Sequence, residues 1–232
     1  MDNTIIKSQL NTLENSIKIK IKSKNNWIDS QYSWSINQNK LPCNIKLNNN
    51  LSNYFQNIEL KRKLTSLYKI SSKGNRKTLQ SYYVSTWGGI HSNSDKTINF
   101  YVNSEYNMLK LLGKKGVASW SKILVVRNCR KYAIFDARVS ACLNALINNE
   151  CKNPKYFFPI LPSRNKNITK FNQKLKKSIH SSSYSYFSAN DFYEIYINTI
   201  KKIAYEFAIE IFEVEMFLFA NAEKIIKNKF NN

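Results

Sequence analysis

Residues 113–150 read GKKGVASWSKILVVRNCRKYAIFDARVSACLNALINNE, and this stretch decides the fold class. It opens with a turn holding Gly113 and Gly116. Val117, Trp120, Ile123 and Leu124 then recur at i, i+3, i+6 and i+7, the spacing of a short amphipathic helix. The CRKYAIF segment, residues 129–135, predicts a brief extended passage. Asp136 follows as an N-cap, because its carboxylate can accept the orphan N–H groups of a first helical turn. Beyond it Val139, Cys142, Leu143, Leu146 and Ile147 form one apolar stripe. Helix, short connection and capped helix make this a mainly α protein.

Working outward, residues 105–112 predict a helix stopped by Gly113. TLQSYYVSTWGGIHSNS, residues 78–94, predicts another that stops at Gly88 and Gly89, since glycine commonly ends a helix. Ile58, Leu60, Leu64, Leu67 and Tyr68 suit a helix over 57–70. Residues 1–55 are polar and Asn-rich, with Trp27 and Trp34 on a hydrophilic stretch, and predict a short helix or loop. Downstream, residues 151–170 predict an ordered loop anchored by Tyr156, Phe157 and Phe158, because Pro154, Pro159 and Pro162 break regular structure. The Ser-rich residues 179–188 predict a second loop. Over 190–229, Phe192, Ile195, Tyr196, Ile203, Phe207, Ile211, Val214 and Leu218 predict one C-terminal helix. The chain thus divides into a basic N-terminal segment with helices (1–70), a central region of turns, capped helix and proline loop (71–189), and a C-terminal helix packing on the same core (190–232).

The chain has 232 residues, of which 43% are hydrophobic and 13% aromatic, enough for one full core. No stretch approaches the length of a membrane span, so a cytoplasmic protein without a membrane partner is expected. Cys43, Cys129, Cys142 and Cys151 are scattered, and His91 and His180 stand alone. Neither a metal nor another cofactor is expected from such residues. Lys and Arg number 36 against 15 Asp and Glu, a net charge of +21. Residues 1–189 hold 31 basic and 8 acidic residues, or +23, and residues 190–232 hold 5 and 7, or −2. Such an excess attracts polyanions, and nucleic acid leads membrane headgroups as the partner.

Between Glu105 and Glu150 the one acidic residue is Asp136, and along the chain near it stand Lys110, Lys114, Lys115, Lys122, Arg127, Arg130, Lys131 and Arg138. Gly116-Val117-Ala118, then Lys122, then the extended 132–135 and Asp136 resemble the helix-hairpin-helix DNA glycosylases, in particular their 8-oxoguanine-glycosylase-like branch. In that branch a hairpin ending Gly-Val-Gly-x-Lys precedes a catalytic aspartate. Here Ala118 replaces the second hairpin glycine, two further residues precede the lysine, and Lys122 and Asp136 are 14 apart. The likeness covers about residues 80–150.

The resemblance implies a helix-hairpin-helix glycosylase-like architecture and excision of a damaged or modified base from double-stranded DNA, in repair or in defence against modified foreign DNA. Asp136 would stabilise the positive charge that develops on the sugar. Lys122 would be the amine that attacks C1′ and forms a Schiff base in members with lyase activity. Lys114, Lys115, Gly116 and Arg138 would hold the backbone, and Arg164 and Asn165 the phosphate or the flipped base. Trp87 and Trp120, beside glycine-bearing turns, would offer flat faces to an extruded base. Two alternatives stand beside it. One is a non-enzymatic DNA- or RNA-binding protein. The other is a metal-dependent nuclease built on Glu59-Leu60-Lys61, with Asp29 the nearest partner carboxylate.

Overall fold

The computed structural model describes residues 3–23 and 31–227; Trp27 and Asp29 lie outside them. Among the described residues the protein is mainly α. The helices are α1 (Asn3–Lys22), α2 (Asn53–Ile70), α3 (Lys73–Tyr82), α4 (Asp95–Asn103), α5 (Tyr106–Leu111), α6 (Val117–Arg127), α7 (Ala137–Glu150), α8 (Lys166–Ser181), α9 (Phe192–Glu206) and α10 (Ile211–Lys227). A π-helical turn, Tyr83–Trp87, extends α3. Two short strands, β1 (Tyr156–Phe157) and β2 (Ser185–Tyr186), pair in parallel.

Helix α7 is the hub. It packs most extensively on α10, then on α1 and α8. Its stripe from Val139 to Ile147 is fully buried, as its periodicity predicts. Each such aliphatic side chain contributes about 1.5–3 kcal/mol on burial. The main core draws on α1, α6, α7, α8, α9 and α10. A second cluster joins Tyr32, Ile45, Leu47, α2 and α3 to Val125, Val126 and Ile134 and to Phe212 and Met216 of α10.

Helix α6 departs from its amphipathic reading. Trp120, Ile123 and Leu124 face the main core while Val125 and Val126 face the second cluster, so the helix lies between them and is buried nearly all round. Gly116 caps it in the left-handed region, φ 67°; a Cβ there would stand 1.9 Å from the Tyr101 hydroxyl. Glycine alone fits that approach.

Three further expectations change. The segment before residue 55 holds a 20-residue helix, α1, rather than a short helix or loop, because Leu13, Ile17 and Ile21 form an apolar stripe against α7 and α9. The loop expected to residue 170 ends at Asn165, whose side chain accepts from Asn167 N and Ile168 N and so starts α8. The Ser-rich stretch is in part the end of α8 and in part β2. The C-terminal helix is two: the chain turns at Ala208, φ 51°, where Ile209 N returns to Ala204 O at 3.0 Å.

The extended passage before Asp136 is present, and side chains rather than a neighbouring strand satisfy its backbone. Phe135 N donates to Ser121 Oγ at 3.1 Å, while Tyr193 and Tyr196 of α9 donate their hydroxyls to Ala133 O and Ile134 O, each at 2.8 Å. Buried backbone groups must find partners, and these three fix where α7 begins. On the far side of α7, Asn144 exchanges two hydrogen bonds with Phe158 and Ser140 donates to Pro159 O, which pins the proline loop.

Candidate functional site

Asp136 caps α7 as its position predicts. Its Oδ1 accepts both Arg138 N at 2.9 Å and Val139 N at 3.0 Å, and the side chain is half-buried. Lys122 lies on the preceding helix, 4% exposed, with Nζ donating to Ala118 O at 2.9 Å. Its stem runs against Gly88, where a Cβ would come within 2.7 Å of the lysine Cε. Burial lowers the basicity of the Lys122 amine, against which the charges of Asp136 and Glu215 act. The two residues share one electrostatic neighbourhood, yet Lys122 forms no ion pair with Asp136 among the described residues.

A second pair completes this neighbourhood. Lys61 Nζ meets Glu215 Oε2 at 2.8 Å, with both side chains shut off from solvent. Burial raises the Glu215 carboxyl, and Lys61 opposes that rise. Lys61, Lys122 and Glu215 thus lie buried in one electrostatic neighbourhood, with the half-buried Asp136 at its edge. Nothing in the EVEM sequence, residues 213–216, marks Glu215 rather than Glu213 as the buried glutamate. In the sequence Lys61 belongs to the Glu59-Leu60-Lys61 fragment of the nuclease alternative. The structure instead sends Lys61 inward to Glu215 and pairs Glu59 with Lys63. No group of three His, Cys, Asp or Glu among the described residues could hold a metal ion.

An aromatic wall borders the same region. Trp87 stacks on Tyr83 at 4.2 Å, Trp34 lies 5.8 Å from Trp87, and Phe219 stands edge-on to Trp34 at 5.7 Å. Trp34 Nε1 donates to Trp87 O, and Trp87 Nε1 to Asn57 Oδ1. Tyr32 is buried against Phe219, and burial together with the charges of Glu215 and Asp136 pushes its hydroxyl well above the ordinary tyrosine value. The wall consists of Trp87 together with Trp34 and Phe219. Trp120 is elsewhere: fully buried, it meets Tyr193 edge-on at 4.7 Å and donates to Lys115 O at 3.2 Å. A base could reach it only by opening the core.

At the rim, the Arg138 guanidinium covers Phe219 at 5.1 Å and pairs with Glu223 at 3.0 Å. Asn167 donates to the other Glu223 oxygen, and these contacts, that of Asn167 foremost, hold the carboxyl below its usual range. Arg164 donates to Gly89 O at 2.7 Å, closing the proline loop onto the Gly88-Gly89 turn. Asn165 serves as the α8 cap. Lys114 and Lys115 are exposed on the α5 to α6 turn. The cations that flank Asp136 along the chain largely disperse in space: Lys110 pairs with Glu194 and Asp191, Arg130 with Glu210, and Arg127 binds the carbonyls of Tyr101, Val102 and Ser104.

No family model, curated protein or solved structure matches this chain. The site therefore stands on its own chemistry. A capping carboxylate, a buried amine of lowered basicity and an aromatic wall can together stabilise a cationic transition state, supply a nucleophile and hold a flat ring. No helix among the described residues is long and apolar enough to cross a membrane.

Proposed function

We propose that the protein is a DNA glycosylase that cleaves the N-glycosidic bond of a damaged or modified base in double-stranded DNA. The observation that carries this reading is that Asp136, held at the first turn of α7, shares one electrostatic neighbourhood with the buried, less basic amine of Lys122 on the preceding helix. The net charge of +21 supplies the attraction for a polyanion.

In this reading the bond between C1′ and the base breaks as its electron pair leaves with the base, which takes up a proton. Asp136 stabilises the charge that grows on the sugar. A nucleophile then closes on C1′: water, giving up a proton, leaves an abasic site, whereas the neutral Lys122 amine bonds to C1′, the C1′–O4′ bond breaks, O4′ takes one amine proton and solvent the other, and an imine remains. Trp87, Trp34 and Phe219 provide the faces against which an extruded base rests. The Gly88-Gly89 turn covers Lys122 and moves for the amine to reach C1′.

Abasic-site formation over a panel of damaged and hypermodified duplexes, without added metal, tests the reading. Asp136→Asn should abolish turnover and leave DNA binding intact; unaltered turnover in that variant would sink it. The depth of Lys122 favours a second reading, a non-enzymatic nucleic-acid binder in which the lysine is structural. A borohydride-trapped covalent adduct that depends on Lys122 excludes it.

A further inference from the structure

Helix α8 carries opposite chemistry on its two sides. Ile168, Phe171, Leu175 and Ile179 enter the main core. Asn167, Lys170, Lys174, Lys177 and His180 recur at spacings of three and four on the other side, with Lys176 beside them. That side forms one wall of a groove of about 830 Å³, and Ile226 and Lys227 at the end of α10 form the other. Among the described residues no carboxylate lines it.

The cations here differ from many others on the molecule. Lys18, Lys20, Lys110, Arg130 and Lys202 each stand against a carboxylate. Among the described residues Lys170, Lys176 and Lys177 have no such partner. Unneutralised charges along one wall of a concavity raise the local field and attract an anion. A chain of side-chain contacts connects the groove with the rim of the candidate site. Asn167, in its lining, donates to Glu223, which pairs with Arg138, two residues beyond Asp136.

We propose that this groove binds the phosphate backbone of the nucleic-acid strand that the Asp136 site acts on, an inference that rests on the proposed excision activity. Lys170 and Lys177, seven apart, lie on one side of the helix with a rise of about 10.5 Å between them, a separation that lets each meet a different phosphate of one strand. Ammonium groups grip phosphate without reading bases, as an enzyme that surveys all sequences requires. Between them the lysine stems offer apolar surface to the sugars.

The test measures binding of one labelled duplex of arbitrary sequence against salt concentration, for the full chain and for a variant carrying Lys170→Gln, Lys176→Gln and Lys177→Gln. Each engaged lysine contributes about 0.9 to the slope of log affinity against log salt on duplex DNA, so the triple variant should lower the slope by roughly 2 to 3. A control variant changes three exposed lysines elsewhere, Lys46, Lys69 and Lys73, to Gln and should keep the slope. An unchanged slope in the groove variant, or an equal fall in the control, overturns the proposal. If the slope holds while Asp136-dependent excision is found, the groove fails and the activity stands. If the slope falls but no duplex is cleaved, the groove stands and the activity fails.

Discussion

The side chain of Lys122 lies across the α-carbon of Gly88, so close that a methyl group there would stand 2.7 Å from Cε and 2.9 Å from Cδ. Gly88 ends the π-helical turn that carries Trp87, with an ordinary right-handed backbone, φ −82°. Close approach, not conformational freedom, is what demands glycine at this position. Gly88→Ala should therefore displace Lys122 or the turn. We expect a lower melting temperature by thermal unfolding and at least a tenfold loss of any Lys122-dependent borohydride adduct, on the order of 1.4 kcal/mol in the reacting geometry.

Asp136 has two separable duties, and two substitutions part them. Asp136→Ala removes the acceptor of both first-turn amides and should cost about 0.5–2 kcal/mol in denaturant unfolding. Asp136→Asn keeps a side chain that caps about as well, so its stability should lie close to the parent. If both variants lose excision while only the alanine loses stability, the charge rather than the cap is what the chemistry uses.

Burial holds the Lys122 amine below its ordinary 10.5, so near that pH the folded chain binds fewer protons than the unfolded one. Its contribution to stability is full above the unfolded value and is lost as pH falls through the lowered folded value. Subtracting the pH–stability curve of Lys122→Met from that of the parent should leave a difference that rises with pH across this window. A flat difference curve would place Lys122 in a solvated setting.

The Lys61 and Glu215 pair, sealed at 2.8 Å, predicts an asymmetry. Lys61→Met alone leaves Glu215 buried without its counter-ion and should destabilise by about 3–5 kcal/mol. Adding Glu215→Leu should recover most of that loss, since an apolar pair of similar volume avoids the cost of desolvating both charges. Urea unfolding of the two variants measures the difference.

The helices with one-sided apolar stripes were legible as sequence. Val139 to Ile147 announces α7, Ile58 to Tyr68 announces α2, and Asp136 announces the cap between the extended passage and the helix, because each signal is local to a few residues. Helix α1 was harder to see: its apolar residues are spaced widely among Asn, Lys and Ser, and its stability comes from packing on α7 and α9. The break at Ala208 carries no glycine or proline to mark it.

For the candidate site, the chain alone determined that Lys122 and Asp136 fall one on each of two consecutive helices and that the protein is strongly basic. Only the tertiary structure decided which charges meet. Lys110, Arg127 and Arg130 are close to Asp136 along the chain but are drawn to partners elsewhere, while Glu215, 79 positions beyond Asp136, joins Lys61 and Lys122 at its side. Burial likewise assigned Trp120 to the core and brought Trp34 and Phe219 to Trp87. Helical periodicity fixes which side of one helix is apolar. Which polar groups end up buried together depends on how several helices pack, since a charge shut away from water is tolerated only where distant parts of the chain bring it compensation.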